Sequence, residues 1–235
     1  MSKNMKPKIV VLTGAGISAE SGLSTFRDSD GLWENYRIEE VCTPEALVRN
    51  RPLVIDFYNQ RRKAALAAQP NAAHHALKRL EQKFDVCIVT QNVDNLHERA
   101  GSSHIIHLHG ELTKLRSSNN ETATVPLDGW QQTLDARHPD GSLLRPFIVF
   151  FGENVPMLEP AIEQVRQADI LIIVGTSLAV YPAAMLAAYA PTDTPIYLVD
   201  PGQPDTRNII NPFTHIQQPA TIGVPQVVQA LLDHA

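Results

Sequence analysis

Three apolar runs, each too short for a helix and each closing on small or polar residues, constrain this chain more than any other feature. They are KIVVLTG (8–14), FDVCIVTQN (84–92) and ADILIIVGTS (168–177). Runs of this length and continuity are the pattern of strands buried on both faces, as in a parallel sheet. A fourth run, TPIYLVDP (194–201), is expected to join them. In open α/β sheets ligands sit at the carboxyl ends of the strands, so the residues that close each run are the first candidates for a site. The first run turns through Gly14-Ala15-Gly16, with Ala19 at the third position of a Gly-x-Gly-x-x-Gly/Ala pattern. A phosphate-bearing cofactor can approach the backbone there and meet a helix amino terminus. The acidic residue expected about 20 positions later, at the end of a second strand, is missing because the chain enters a helical stretch. That argues against an ordinary hydride-transferring dehydrogenase.

The helical stretch runs from 38 to 83 and contains TPEALVRN, DFYNQRRKAALAA and PNAAHHALKRLEQ, the last with Pro70 and Asn71 as a start signal. In the second of these, Tyr58 and Arg61 are three positions apart and share a helix face. A hydroxyl and a guanidinium there can converge on one planar anion, while Arg62 is turned away and expected to be a surface charge. The plainer alternative packs Tyr58 under the helix and leaves both arginines in water. From 112 to 146 the composition shifts to Ser, Asn, Thr, Asp and Gly around isolated Leu127, Trp130 and Leu134, which reads as a second insertion or a lid.

TQNVDNLHERAG (90–101) places Gln91, Asn92 and Asp94 just past the second strand, where their side chains can bond ribose hydroxyls or a carboxamide. The alternative is a polar strand-end cap, with Asn95 and His97 opening a helix. In HIIHLHG (104–110) a strand would point His107 and His109 to one face, which invites a metal, but a third ligand cannot be named. His109 is also a candidate general base.

The 235 residues fit one domain, or one with an insertion, and a net charge of -5 with only short basic runs offers no field for nucleic acid or an anionic membrane. The apolar run near the amino terminus is only strand-length and flows into the glycine turn, so neither a signal peptide nor a membrane span is expected, and the location is read as cytoplasmic. Two cysteines, Cys42 and Cys87, cannot make a cysteine-rich metal site, and a disulfide is not expected.

Gly14-Ala-Gly-Ile-Ser, Thr25-Phe-Arg27, Gln91-Asn-Val-Asp94, His109-Gly110, Phe151-Gly-Glu153 and Gly175-Thr-Ser177, in this order, resemble the sirtuins, the NAD-dependent protein-lysine deacylases. The FYNQRR helix, DGLW and VYPAA further resemble the class III branch, whose Tyr and Arg read acidic acyl groups. The resemblance implies an α/β fold: a Rossmann-like domain from 1–37, 84–111 and 147–235, and a smaller one from insertions 38–83 and 112–146. NAD would lie between them. It implies cofactor contacts from Gly14, Ala15, Gly16, Ile17, Ser18, Ala19, Phe26, Arg27, Trp33, Gln91, Gly175, Thr176, Ser177, Leu198, Asp200 and Ala220. Asn92 and Asp94 would grip the nicotinamide carboxamide, with Ile17 near the ring, and His109 would be the base that lets a ribose hydroxyl attack an imidate formed with the acyl-lysine. Products would be nicotinamide, free lysine and O-acyl-ADP-ribose. Substrate would lie as an extended peptide on FIVFFGENVP, meeting Val149, Phe151, Gly152 and Glu153, with the acyl end read by Tyr58 and Arg61. The oligomeric state is not set by anything in the sequence.

This chain departs from the family pattern in three places. Ser117 and Ser118 follow Arg116 where zinc cysteines usually stand, and no cysteine lies between 112 and 146. No structural zinc is therefore expected, since His138, Asp135 and Asp140 make no credible replacement without thiolates, and the module should rest on Leu127, Trp130 and Leu134. Leu198 stands where the family often has Asn, with Asp200 able to take over a ribose hydroxyl. Ser29 stands where the acidic-acyl branch usually has Ala. Two other readings share the cofactor residues: ADP-ribosyl transfer or NAD hydrolysis, and a non-catalytic NAD-binding module.

Overall fold

The computed structural model describes residues 6–25, 32–33 and 36–234. Phe26, Arg27 and Ser29 lie outside the described residues, as does the side chain of Trp33.

Six parallel strands form the main sheet. They are β1 (Lys8–Thr13), β4 (Asp85–Thr90), β5 (Ile105–His107), β9 (Ile170–Val174), β10 (Ile196–Val199) and β11 (Phe213–Ile216), in the spatial order β11-β10-β9-β1-β4-β5. Alternation within β1 feeds two cores. Val10 and Leu12 pack on one face with helix α7 (Leu158–Val165) and a 3-10 segment, Ala183–Tyr189. Ile9 and Val11 pack on the other with helices α5 (Ala72–Leu80) and α8 (Ala220–Asp233). Chain order reverses between β1 and β9, which is the switch point where a doubly wound sheet opens a crevice beyond its strand ends.

Short elements complete the chain: α1 (Gly16–Ala19), the paired β2 (Leu32–Trp33) and β3 (Tyr36–Arg37), α2 (Ile38–Val41), α3 (Pro44–Arg49), α4 (Arg51–Ala67) and α6 (Leu96–Arg99). The helix starts are set by side-chain caps. Thr43 accepts from Ala46 N at 3.0 Å, Asn50 from Leu53 N at 3.3 Å and Asn71 from Ala73 N at 3.0 Å, with Pro44 at the first position of α3 and Pro52 at the second of α4. Helix α5 starts where Pro70 and Asn71 signal. Its apolar face, Ala73, Ala76, Leu77 and Leu80, belongs to the sheet core, so the part of 38–83 that stands apart from the sheet ends with α4.

The second insertion is an antiparallel sheet of β6 (Gly110–Ser117), β7 (Thr124–Pro126) and β8 (Leu144–Ile148), with β6 in the centre. Its packing differs from the expectation. Leu134 is 47% exposed and Leu127 and Trp130 are only partly covered, whereas Leu112, Leu115, Leu144 and Ile148 are buried. The apolar residues that hold the module lie on its strands, where alternation puts them inward, and not in the polar loop between β7 and β8.

Polar ties from α4 do the rest, and they overturn the expectation for Arg62. Its side chain is fully buried and donates to Leu112 O, to Asn59 Oδ1 at 2.9 Å and to Trp130 O at 2.7 Å. Asn59 also donates to Gln132 O at 3.0 Å, and Arg51 to Leu144 O at 2.6 Å. On a 3.6-residue helix Arg62 lies between Tyr58 and Ala65 on the buried face, where two backbone carbonyls of the module and the Asn59 side chain accept from its Nε and Nη1, while Nη2 has no hydrogen-bond partner among the described residues.

The Ser117 hydroxyl contacts Asp140 Oδ2 at 2.6 Å and Ser142 Oγ at 2.8 Å, and it accepts from the amides of Asn119 and Asn120. Hydroxyls with one carboxylate are not the thiolate set that a structural zinc takes, and the segment 112–146 has no cysteine. The residues present do not fit that metal. Among the described residues no group of three or more His, Cys, Asp or Glu is arranged to hold one, and no helix is long and apolar enough to cross a membrane.

Candidate functional site

The turns after β1 and β9 meet backbone to backbone. Gly14 N donates to Val174 O at 3.0 Å and Gly16 N to Gly175 O at 2.8 Å. A Cβ on Gly16 would lie 2.6 Å from Gly175 Cα, and Gly175 itself has φ +61°. Only glycine fits both demands, and the bare backbone left at the switch point is what a phosphate needs to come close.

From this floor a cavity of about 530 Å³ runs to the helical insertion, a size ordinary for a small-molecule or cofactor site. Gly14, Ala15, Gly16, Ser18, Ala19, Gly175, Thr176, Ser177, Asp200 and Ala220 line the end over the sheet. Gln91, Asn92, Asp94 and His109 line the middle, and Cys42, Arg61, Leu112, Ile148 and Phe150 line the far end. Val149, Phe151, Gly152 and Glu153 form one rim. Most of the expected site residues are therefore brought to one cleft.

Three are not. Ile17 and Leu198 are fully buried in the sheet cores and do not face the cavity. Ile17 alternates inward from Gly16 and Ser18 on the first turn after β1, and Leu198 points into the sheet because β10 alternates; Asp200, past the strand end, reaches the cavity instead. Tyr58 is also fully buried. Its ring stacks on Phe150 with centroids 5.7 Å apart, and its hydroxyl donates to Cys42 Sγ at 3.2 Å. The helix face shared by Tyr58 and Arg61 splits at the side-chain tips, because the phenol enters the insertion core while the longer Arg61 reaches the cavity wall.

Asn92 Nδ2 donates to Gly14 O at 3.1 Å and to Ser18 Oγ at 3.2 Å, which leaves its carbonyl oxygen to accept. Asp94 accepts from Ser18 Oγ and from Leu96 N, both at 3.1 Å, and burial raises its pKa above the ordinary carboxylate value. Gln91 Nε2 donates to Thr176 Oγ1 at 3.1 Å, tying the ends of β4 and β9. Glu153 is held by Arg145 at 2.6 Å, by Arg116 at 2.9 Å and by Phe150 N at 2.8 Å. Its carboxylate anchors the rim to the small sheet.

His107 and His109 part company. His107 sits at the end of β5 with Nε2 on Glu98 at 2.6 Å and Nδ1 on Asn92 O at 3.1 Å. Burial alone would lower its pKa, but Glu98 outweighs it and the net shift is upward. His109 Nδ1 lies 3.1 Å from Gln91 O, a pure acceptor, so Nδ1 carries the proton and Nε2 is the basic nitrogen on the cavity side. Burial lowers the His109 pKa.

Leu23 and Val93 also line the cavity without a site role expected from the sequence, as does Cys42, which the sequence raised only as a metal or disulfide residue. Leu23 and Val93 pack partly against the insertion core. An isolated apolar residue in a polar loop was the only available signal for either.

This fold and this cleft define a Rossmann-like nucleotide-binding protein with a small module closing over the switch point. The model of the Sir2 family matches residues 14–182, and the chain belongs to that family. An NAD-dependent protein deacylase of Aggregatibacter actinomycetemcomitans is 57% identical over 89% of this chain and 99% of its own length. A crystal structure of a Sir2 homologue in complex with NAD superposes with a TM-score of 0.85 at 36% identity, covering 97% of this chain and 91% of the other. A Sir2 homologue mutant in complex with 2'-O-acetyl-ADP-ribose does so with 0.85 at 35% identity, covering 97% and 93%.

Proposed function

We propose that this protein is an NAD-dependent protein deacylase that transfers acyl groups, including acidic ones such as succinyl and malonyl, from lysine side chains to ADP-ribose and releases nicotinamide. The observation that carries the reading is the placing of His109, with its basic Nε2 between a glycine floor suited to a dinucleotide and a far end that carries Arg61. NAD bound on that floor supplies an activated ribose carbon. The chain's own residues do the rest. Asn92 and Asp94, positioned by Ser18 and the Gly14 carbonyl, hold the carboxamide. His109 takes the ribose proton at Nε2. Thr176, Ser177, Asp200 and Ala220 hold the adenosine side, and residues 149–153 align the acyl-lysine peptide as an added strand. Phe26, Arg27 and Trp33 keep the cofactor roles that the family resemblance implies.

A carboxylate entering the far end would be costly to bury unpaired, and Arg61 is the cation on that wall. A charge-assisted hydrogen bond contributes roughly 1.5–3 kcal/mol, so Arg61→Met should lower kcat/KM for succinyl-lysine by roughly 10 to 100-fold. Acetyl-lysine should be far less affected. Steady-state rates on acetyl, malonyl and succinyl peptides make the comparison, and a succinyl-to-acetyl ratio unchanged in the mutant would remove Arg61 from this role.

The small module folds without metal in this reading, on its strand leucines, the Arg62 ties and the hydrogen bonds around Ser117. Since a structural zinc contributes binding energy directly to folding, a chelator should move neither the melting temperature nor the rate. Stoichiometric zinc in purified, untagged protein would contradict this.

A further inference from the structure

Strand β4 ends at Thr90 and the chain beyond it is irregular as far as Asn95. Four successive carbonyls there are taken by the segment 107–112. Thr90 O accepts from Leu108 N at 2.9 Å, Gln91 O from His109 Nδ1 at 3.1 Å, Asn92 O from His107 Nδ1 at 3.1 Å and Val93 O from Leu112 N at 2.8 Å. His107 differs from the others because its ring makes a second bond, from Nε2 to Glu98 Oε1 at 2.6 Å. A neutral imidazole has one N–H and cannot fill two acceptors. The ring is therefore an imidazolium, in a pair whose side chains are 9% and 40% exposed. Burial alone would raise the Glu98 pKa, but the bond to His107 outweighs it and the net shift is downward, so the proton stays on the ring. Glu111 on β6 and Asp94 on the loop add negative charge around His107, and Lys114 is paired with Glu111 at 2.7 Å. Burial pulls the pKa of His97 on α6 well below the usual histidine value, so it adds no charge.

We infer that His107 is a positioning residue for the nicotinamide grip: paired with Glu98 and donating from both ring nitrogens, it clips the Asn92 carbonyl in place, and it releases that carbonyl when the ring loses a proton. This rests on the proposed role of Asn92 and Asp94 toward the carboxamide. His107 is not part of the cavity lining, so it acts through Asn92. That residue is tied by its amide to Thr90 Oγ1 at 3.0 Å and by its side chain to Gly14 O and Ser18 Oγ. The carbonyl is its remaining point of hold. Once neutral, the ring must give up one acceptor, and its N–H stays on the carboxylate because a charge-assisted bond is the stronger. NAD affinity should therefore hold below the His107 pKa and fall as pH rises through it. Burial opposes the charge, but Glu98 outweighs burial, so the fall comes above the usual histidine value of about 6.5.

Calorimetric titration with NAD from about pH 6 to 9, across the range of a raised histidine, tests this without requiring turnover. The proteins are wild type, Glu98→Gln, His107→Asn and His107→Phe, and NMR of 15N-labelled histidine reports the charge of the ring. In wild type the Kd should rise about tenfold as His107 deprotonates, the effect of one lost charge-assisted bond. Glu98→Gln should show the same rise at lower pH, because the carboxylate no longer holds the proton. His107→Asn, whose amide can still donate to Asn92 O but cannot titrate, should bind tightly with a flat profile. His107→Phe should be flat and about tenfold weaker at every pH. A Kd that stays within twofold over the range in both wild type and Glu98→Gln would overturn the inference, as would equal weakening in the Asn and Phe variants. If the deacylation of peptide proceeds while those profiles are flat, the clip fails and the deacylase reading stands. If the profiles behave as expected but NAD is cleaved at the same rate without peptide, the clip stands and that reading fails.

Discussion

His109→Ala should still bind NAD but should deacylate at least ~10²-fold more slowly, the loss typical of removing a general acid or base. The expectation rests on the Gln91 carbonyl, which fixes the tautomer and presents Nε2 to the cavity. It has a pH counterpart. The base works as neutral imidazole, and burial lowers its pKa below the usual histidine value of about 6.5. The rate should accordingly persist as pH falls to that value, and the acid limb of kcat/KM should lie below it. A folded His109→Ala protein with unchanged turnover would end the assignment.

Arg62→Met should cost stability where Arg61→Met costs selectivity. Arg62 is buried without a carboxylate partner, and burial pulls its pKa down to about 10. Its donors satisfy Leu112 O, Trp130 O and Asn59 Oδ1 across two insertions. Methionine fills a similar volume but takes the guanidinium away from Leu112 O and Trp130 O, at about 1–3 kcal/mol for each buried group left unpaired, while Asn59 Oδ1 keeps Gln132 N at 2.8 Å. A loss of about 3 kcal/mol or more is expected, which for a chain of this size lowers Tm by roughly 6–12 °C. Thermal unfolding of the two neighbouring mutants side by side checks it. An Arg62→Met protein as stable as wild type would mean that the carbonyls find other partners.

Adjacent arginines with opposite fates mark the limit of what the sequence can carry. The strands of the sheet were legible because burial on both faces writes a continuous apolar run, and the cofactor floor because close backbone contact requires glycine. The edge strand β11 was not, since FTHI is half exposed and has no such run. Helix periodicity placed Tyr58 and Arg61 on one face but could not say how far each side chain reaches, and so it joined a core phenol to a cavity guanidinium. Arg62 looked solvated because charge usually means surface. What buries it is a set of backbone carbonyls 50 or more residues away, and these leave no trace in side-chain composition. Leu134, Trp130 and Leu127 misled in the opposite sense, since apolar residues in a polar segment attracted a core assignment that the alternating β6 and β8 residues hold. Ile17 is a related case: it stands within the glycine motif, but the turn that carries it is also part of the sheet core.

The proposed activity depends above all on chemistry in which acyl-lysine, and neither water nor another protein side chain, receives the activated ribose. Nicotinamide release should therefore be measured with and without an acyl-lysine peptide, alongside the deacylated peptide formed. Release from NAD alone should be negligible, with one nicotinamide per lysine freed once peptide is added. Release at the same rate without peptide, or ADP-ribose appearing on protein in place of an O-acyl product, would contradict it.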